Sequence, residues 1–188
     1  MPRSVATYVL ILVVLGVSGT GCRDEEPNPG KLITATTPQQ LSGADLIVFL
    51  EAHEAGVGHM ERYEYDKAAN AFRRALALAP GSNVERLNLA LALLNDTGAK
   101  VEAEKSADPA ATPSADNFQQ ALELLDLVLQ VEPDNVHAHY SRGIILQYLG
   151  RSAEAHKEYQ FVVKADPSDA HAWLNLGATL TDPKHPDR

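Results

Sequence analysis

Residues 136–167 read VHAHYSRGIILQYLGRSAEAHKEYQFVVKADP, and the reading of this stretch decides the fold. Its apolar positions recur at helical spacing on both sides of Leu149-Gly150, which marks the end of one helix and the turn into a second. Gly143 leaves the first helix free to approach its partner closely. Ala155 offers a small contact on the second helix, Tyr159 and Val162 fill the space between the two, and Pro167 stops the second helix. The stretch is therefore a helix-turn-helix unit.

Working outward, the unit repeats. Pro133 and Pro167 stand 34 residues apart, as do Gly143 and Gly177, Ala138 and Ala172, and Ala121 and Ala155. AHYSRG (138–143) aligns with AWLNLG (172–177). A 34-residue period with Ala, Gly, an aromatic and Pro in this order resembles the tetratricopeptide repeat family. YDKAANAFRRALALAP (65–80) carries Tyr65, Ala68, Phe72, Ala75 and Pro80 at that family's spacings, with Gly56 in the preceding helix. A second unit is split: NVERLNLALALLN (83–95) is its first helix and NFQQALELLDLVLQVEP (117–133) its second. Pro80 to Pro133 spans 53 residues, which is 34 plus 19. The excess falls in residues 97–116, rich in Ala, Ser, Asp and Pro, and reads as a polar, disordered insertion. A fourth unit has only its first helix, DAHAWLNLGATL (169–180). Ser82, Asp116, Asp134 and Ser168 or Asp169 stand where helix N-caps are wanted.

The resemblance implies an all-α solenoid of about three and a half helix-turn-helix repeats, seven helices wound into a right-handed superhelix. Residues 44–182 form this domain, and 183–188 are a short tail.

Residues 1–21 are a secretion signal: Arg3, then an apolar stretch from Val5 to Val17, then small residues up to Gly21. The apolar stretch is shorter than the roughly 20 residues that span a bilayer. Cys22, the single cysteine, directly follows the small residues, an arrangement that resembles a bacterial lipobox, although Gly19 stands where that family usually has Leu or Val. The resemblance implies lipid attachment at Cys22, which becomes the N-terminus of a membrane-anchored lipoprotein. Arg23 after the cysteine implies the periplasmic face of the outer membrane rather than the inner membrane. Residues 22–43, with three prolines, read as a flexible tether.

The chain has 188 residues, 45% of them hydrophobic and 22% charged, which suffices for a packed core. Its net charge of −9, with no Lys/Arg cluster, argues against nucleic acid as a partner. One cysteine supports neither an internal disulfide nor a cysteine zinc site. His137 and His139 are two apart and face different sides of a helix, so no metal and no other cofactor is expected. There is no nucleophile elbow, HExxH or phosphate-cradling glycine loop, and no catalytic residue is assigned.

In the resembled family the first helix of each unit lines a concave groove that takes peptides. The matching positions here are His53, Val57, Met60, Leu87, Asn88, Leu91, His137, Tyr140, Ile144, Gln147, Tyr148, His171 and Leu174, with Val84 and Leu94 beside them. Leu87, Leu91 and Ile144 fit a core position as well as a groove position. Tyr140 and Tyr148 are the preferred groove residues. This surface suits an apolar or amphipathic segment of a protein partner. Some members of the family grip a C-terminal carboxylate with Lys, Asn and Arg. The matching positions are His53, Val57, Asn88, His137 and Ser141, and only Asn88 agrees. The expected function is thus a non-catalytic protein-binding scaffold of the cell envelope. The alternatives are a docking or regulatory segment of a larger envelope protein or enzyme, and a module that self-associates into homo-oligomers through an open end of the array.

Overall fold

The computed structural model describes residues 37–107 and 116–181. The expected signal segment, Cys22 with most of the expected tether, the middle of the expected insertion and the expected tail lie outside these residues. Among the described residues there are seven α-helices and no strand: α1 (Gly43–Glu61), α2 (Tyr65–Leu78), α3 (Asn83–Ala107), α4 (Asp116–Val131), α5 (Val136–Tyr148), α6 (Ser152–Ala165) and α7 (Ala170–Thr181). Each helix packs on the next, and α3 also touches α5, so the helices stack as a solenoid of pairs. No described helix is long and apolar enough to cross a membrane.

The pairs close through one recurring device. Gly56 of α1 lies under the Phe72 ring of α2, and Gly143 of α5 lies under the Tyr159 ring of α6. A Cβ on Gly143 would fall 2.7 Å from that ring, so only glycine lets the helices approach this closely. At the equivalent place in the second unit Ala90 is fully buried and faces an α4 that carries Leu125, an aliphatic side chain, at the aromatic's position. Phe72, Leu125 and Tyr159 are all 1% exposed or less.

The helix ends follow local chemistry. Ser82 Oγ accepts the Glu85 amide at 3.3 Å. At α5 the cap is Asn135, one residue after the expected Asp134, and its side chain accepts from the Ala138 amide. Asp169 takes the amides of His171 and Ala172 at the start of α7. Gly150 has φ +70°, and the Arg151 amide bonds back to the Leu146 carbonyl, a left-handed C-terminal stop.

Two expectations are corrected. The insertion does not begin at residue 97, because α3 runs unbroken to Ala107. Residues 96–107 are dominated by helix formers, Lys100 bonds Asp96 one turn back at 2.6 Å, and Thr97 and Val101 extend the buried stripe of the helix. Gly98 is not a turn residue but a contact surface for the Tyr148 hydroxyl. The tether is likewise ordered at its end: residues 38–40 form a 3-10 turn, and Leu41 packs against the cluster of Phe49, Ala52, Ala75 and Ala79.

Candidate functional site

The first helices of the units, α1, α3, α5 and α7, carry the groove positions. None of the thirteen residues is fully buried, and His137, His171 and Leu174 are exposed. Val57, Met60, Leu87 and Ile144 lean on the main core cluster with one side, and Leu91 is half-buried. The pure core reading and the pure groove reading of Leu87, Leu91 and Ile144 therefore both give way to a boundary position. Leu94, at 3% exposure, is core and leaves the groove set.

Three of the assigned residues serve the scaffold. Gln147 accepts a 2.6 Å bond from the buried Tyr159 hydroxyl, whose pKa is pushed up by burial. Tyr140 lies edge-on to Tyr159, with ring centroids 5.9 Å apart, and its hydroxyl accepts from Asn175 of α7. Tyr148 stacks on Phe118 at 5.2 Å and presses against Gly98, pinning the extension of α3 to the third unit. The two tyrosines preferred as groove anchors thus make ring and hydroxyl contacts that join neighbouring helices. Burial raises the pKa of both hydroxyls above the usual tyrosine value.

One buried electrostatic contact is not legible in the sequence as part of a site. Glu85 is 1% exposed, and its Oε1 lies 2.7 Å from His53 Nδ1 on α1. A carboxylate only accepts, so the imidazole Nδ1–H donates. The hydrogen bond to Glu85 is the main cause of a raised His53 pKa, working against desolvation and helped by the negative charges of Glu85 and Glu54. Glu85 Oε2 and Asn88 Nδ2 are buried with no hydrogen-bond partner. The pair borders an open cleft of about 390 Å³, walled by Phe49, Leu50, Ser82, Val84 and Glu132. The signal for Glu85 lay in the repeat alignment: position 85 is equivalent to 138 and 172, where fully buried alanines stand.

A similar pair closes the third unit. His139 Nδ1 bonds Glu158 of α6 at 2.7 Å, its Nε2 meets the Pro133 carbonyl at 2.9 Å, and its ring stacks on Phe161. His139 is thereby committed to the helix pair, while His137 two residues away is exposed.

The family model described as tetratricopeptide repeat matches residues 142–181, which run from α5 through α6 to α7. Solved tetratricopeptide domains share the fold. The Arabidopsis OM64 domain is 19% identical with a TM-score of 0.58, over 72% of this chain and 97% of that one. The second domain of human RPAP3, solved in complex with an HSP70 peptide SGPTIEEVD, is 16% identical with a TM-score of 0.57, over 73% and 98%. The Sgt2 domain from Aspergillus fumigatus is 21% identical with a TM-score of 0.54, over 80% and 83%. The architecture of this chain is the all-α helical solenoid of tetratricopeptide domains.

Proposed function

We propose that this chain is a non-catalytic protein-binding module whose groove takes an apolar or amphipathic segment of a partner. The observation that carries the reading is the row of His137, His171 and Leu174, left open beside half-buried Val57, Leu87 and Ile144 on a solenoid of peptide-binding architecture. The acidic peptide end seen with human RPAP3 is a poor fit here. At the positions matched to a carboxylate grip, Val57 is apolar, Ser141 donates to the His137 carbonyl, and His53 is held by a buried Glu85. That leaves apolar contact area as the source of affinity, with the histidines setting orientation.

The proposal includes the N-terminus: Cys22 carries lipid and holds the module at the periplasmic face of the outer membrane. Its support is the order of Arg3, the apolar stretch, the small residues and the single cysteine. Several acyl chains on one residue anchor far more firmly than one.

Two measurements test the two halves separately. Partner recovery on the immobilised full chain is compared with a His137→Asp/Leu174→Asp variant. Recovery is expected to fall at least severalfold, and undiminished recovery would overturn the groove assignment. Intact mass of the membrane-extracted native protein is expected to show loss of residues 1–21 and a diacylglyceryl adduct on Cys22. An unmodified Cys22 would overturn the anchor and leave the groove reading untouched.

A further inference from the structure

Among the described residues, α7 presents a face that the other first helices, α1, α3 and α5, have covered. In the third unit α6 lies over His139, Gly143 and Leu146 of α5; the His139 side chain is 16% exposed and Leu146 is 2% exposed. The equivalent residues of α7 are Trp173, Gly177 and Leu180. Trp173 is 50% exposed, Leu180 is 48% exposed, and no described residue lies within 4 Å of where a Cβ on Gly177 would be. Trp173 keeps the posture of its counterpart: its Nε1–H donates to the Pro167 carbonyl, as the His139 ring meets the Pro133 carbonyl. The face is built to receive a helix.

We infer that this face pairs with itself: two copies of the chain associate through α7, antiparallel across a two-fold axis at the level of residue 175. The pattern on the helix is self-complementary. Ala170, Trp173, Gly177 and Leu180 fall on one stripe at helical spacing. Turning a second α7 about residue 175 sets Trp173 against Gly177 and Ala170 against Leu180, so each large side chain meets a small residue. The Trp173 ring fills over Gly177 the place that Tyr159 fills over Gly143. Such a pairing is the isologous kind that closes as a dimer. Charge favours it too. Residues 170–181 contain no Asp, Glu, Lys or Arg, so two chains of net charge −9 can meet here without like charges in the seam. Antiparallel dipoles add to the attraction. The groove is not used, so the inference stands apart from the proposed peptide binding.

One short helix pair buries less than the standard interface, so the dimer is a weak one that forms with concentration. Trp173 is the single tryptophan, which makes its emission a direct reporter. The experiment is sedimentation of the full chain across a concentration series, with tryptophan emission read on the same samples. Wild type is run beside Gly177→Leu and Leu180→Ser under identical conditions, so association through any other segment appears equally in all three. Gly177→Leu adds a good helix former in open space, so its folding is not threatened. Wild type is expected to approach twice the monomer mass, with emission moving to shorter wavelength over the same range. Gly177→Leu, which clashes with the opposing Trp173, is expected to weaken association about tenfold or more. A wild-type mass and emission independent of concentration overturns the inference. So does an association that Gly177→Leu leaves unchanged.

Discussion

The two ends of the solenoid use the same seat differently. At the junction of α1 and α3 the seat holds Glu85, buried and bonded to His53 of the preceding unit. At the junction of α5 and α7 it holds Ala172, packed with Val162 and Val163 and neighboured by Tyr140. The backbone arrangement therefore sets how deeply a side chain is buried, not whether it is apolar. A charge persists in the deep seat because a histidine one repeat earlier comes within bonding distance. The N-terminal junction is held by an ion pair, which is directional and sensitive to pH. The C-terminal one is held by apolar packing with one neutral hydrogen bond, from Asn175 to the Tyr140 hydroxyl.

Breaking the ion pair from the histidine side gives the largest effect. His53→Leu strands a nearly inaccessible carboxylate that already has one unpartnered oxygen. The cost is about 3 kcal/mol, read from urea unfolding. The double variant His53→Leu/Glu85→Leu makes the N-terminal junction resemble the C-terminal one and is expected to recover most of that loss, since apolar replacement of a buried pair is often neutral or better. A double variant as unstable as the single one would mean that the damage lies in packing and not in the stranded charge.

The glycines sharpen the contrast between a closed helix pair and an open helix. Gly143→Ala drives a Cβ into the Tyr159 ring and is expected to cost about 2 kcal/mol. At concentrations where the chain is a monomer, Gly177→Ala meets no described residue and is expected to gain about 0.5–1 kcal/mol from helix propensity. Thermal melts of the two variants should move in opposite directions. Equal losses would mean that the α7 face is covered in solution.

The pH dependence separates the two junctions next. His53 has a folded pKa raised above 6.5, chiefly by the Glu85 hydrogen bond. Its contribution is therefore fully present below pH 6.5 and is lost as pH rises through the elevated folded value. Stability measured from pH 6 to 9 should fall over that window in wild type and be flatter in His53→Leu/Glu85→Leu. An identical slope in both chains would remove His53 as the cause.

The parts legible in the sequence are those where packing repeats. Gly143, Ala155, Tyr159 and the terminal prolines announce the helix pair because every unit solves the same packing problem. Glu85 stayed hidden because a charge in an apolar seat contradicts the pattern used to find seats, and only its equivalence to Ala138 and Ala172 reveals it. The extension of α3 was obscured by composition. Ala, Ser, Asp and Pro signal a loop when counted together, whereas the spacing of Leu94, Thr97 and Val101 continues a buried helical stripe. Tyr140, Gln147 and Tyr148 lie on α5, as the spacing predicts, but position on a helix face does not tell whether a neighbouring helix covers it. Here α7, Tyr159 and the extended α3 do so.

The smallest effect comes from the turns. Tyr63, between α1 and α2, is equivalent to Gly150, between α5 and α6, and both have left-handed φ, +60° and +70°. Glycine adopts this conformation without cost, whereas a residue with a Cβ is disfavoured there by about 1–2 kcal/mol. Tyr63 regains a little through an edge-on contact with Tyr65 at 6.2 Å, but its side chain is otherwise largely exposed. The first turn thus carries strain that the third has shed. Tyr63→Gly should release it, less the greater entropy of glycine in the unfolded chain, for a net gain of about 0.5 kcal/mol. Tyr63→Asn, which tolerates the left-handed region better than tyrosine, should fall between the two. A loss of stability in Tyr63→Gly would show that the contact with Tyr65 outweighs the backbone strain, and that the first pair is closed by its turn as well as by the seat of Phe72 on Gly56.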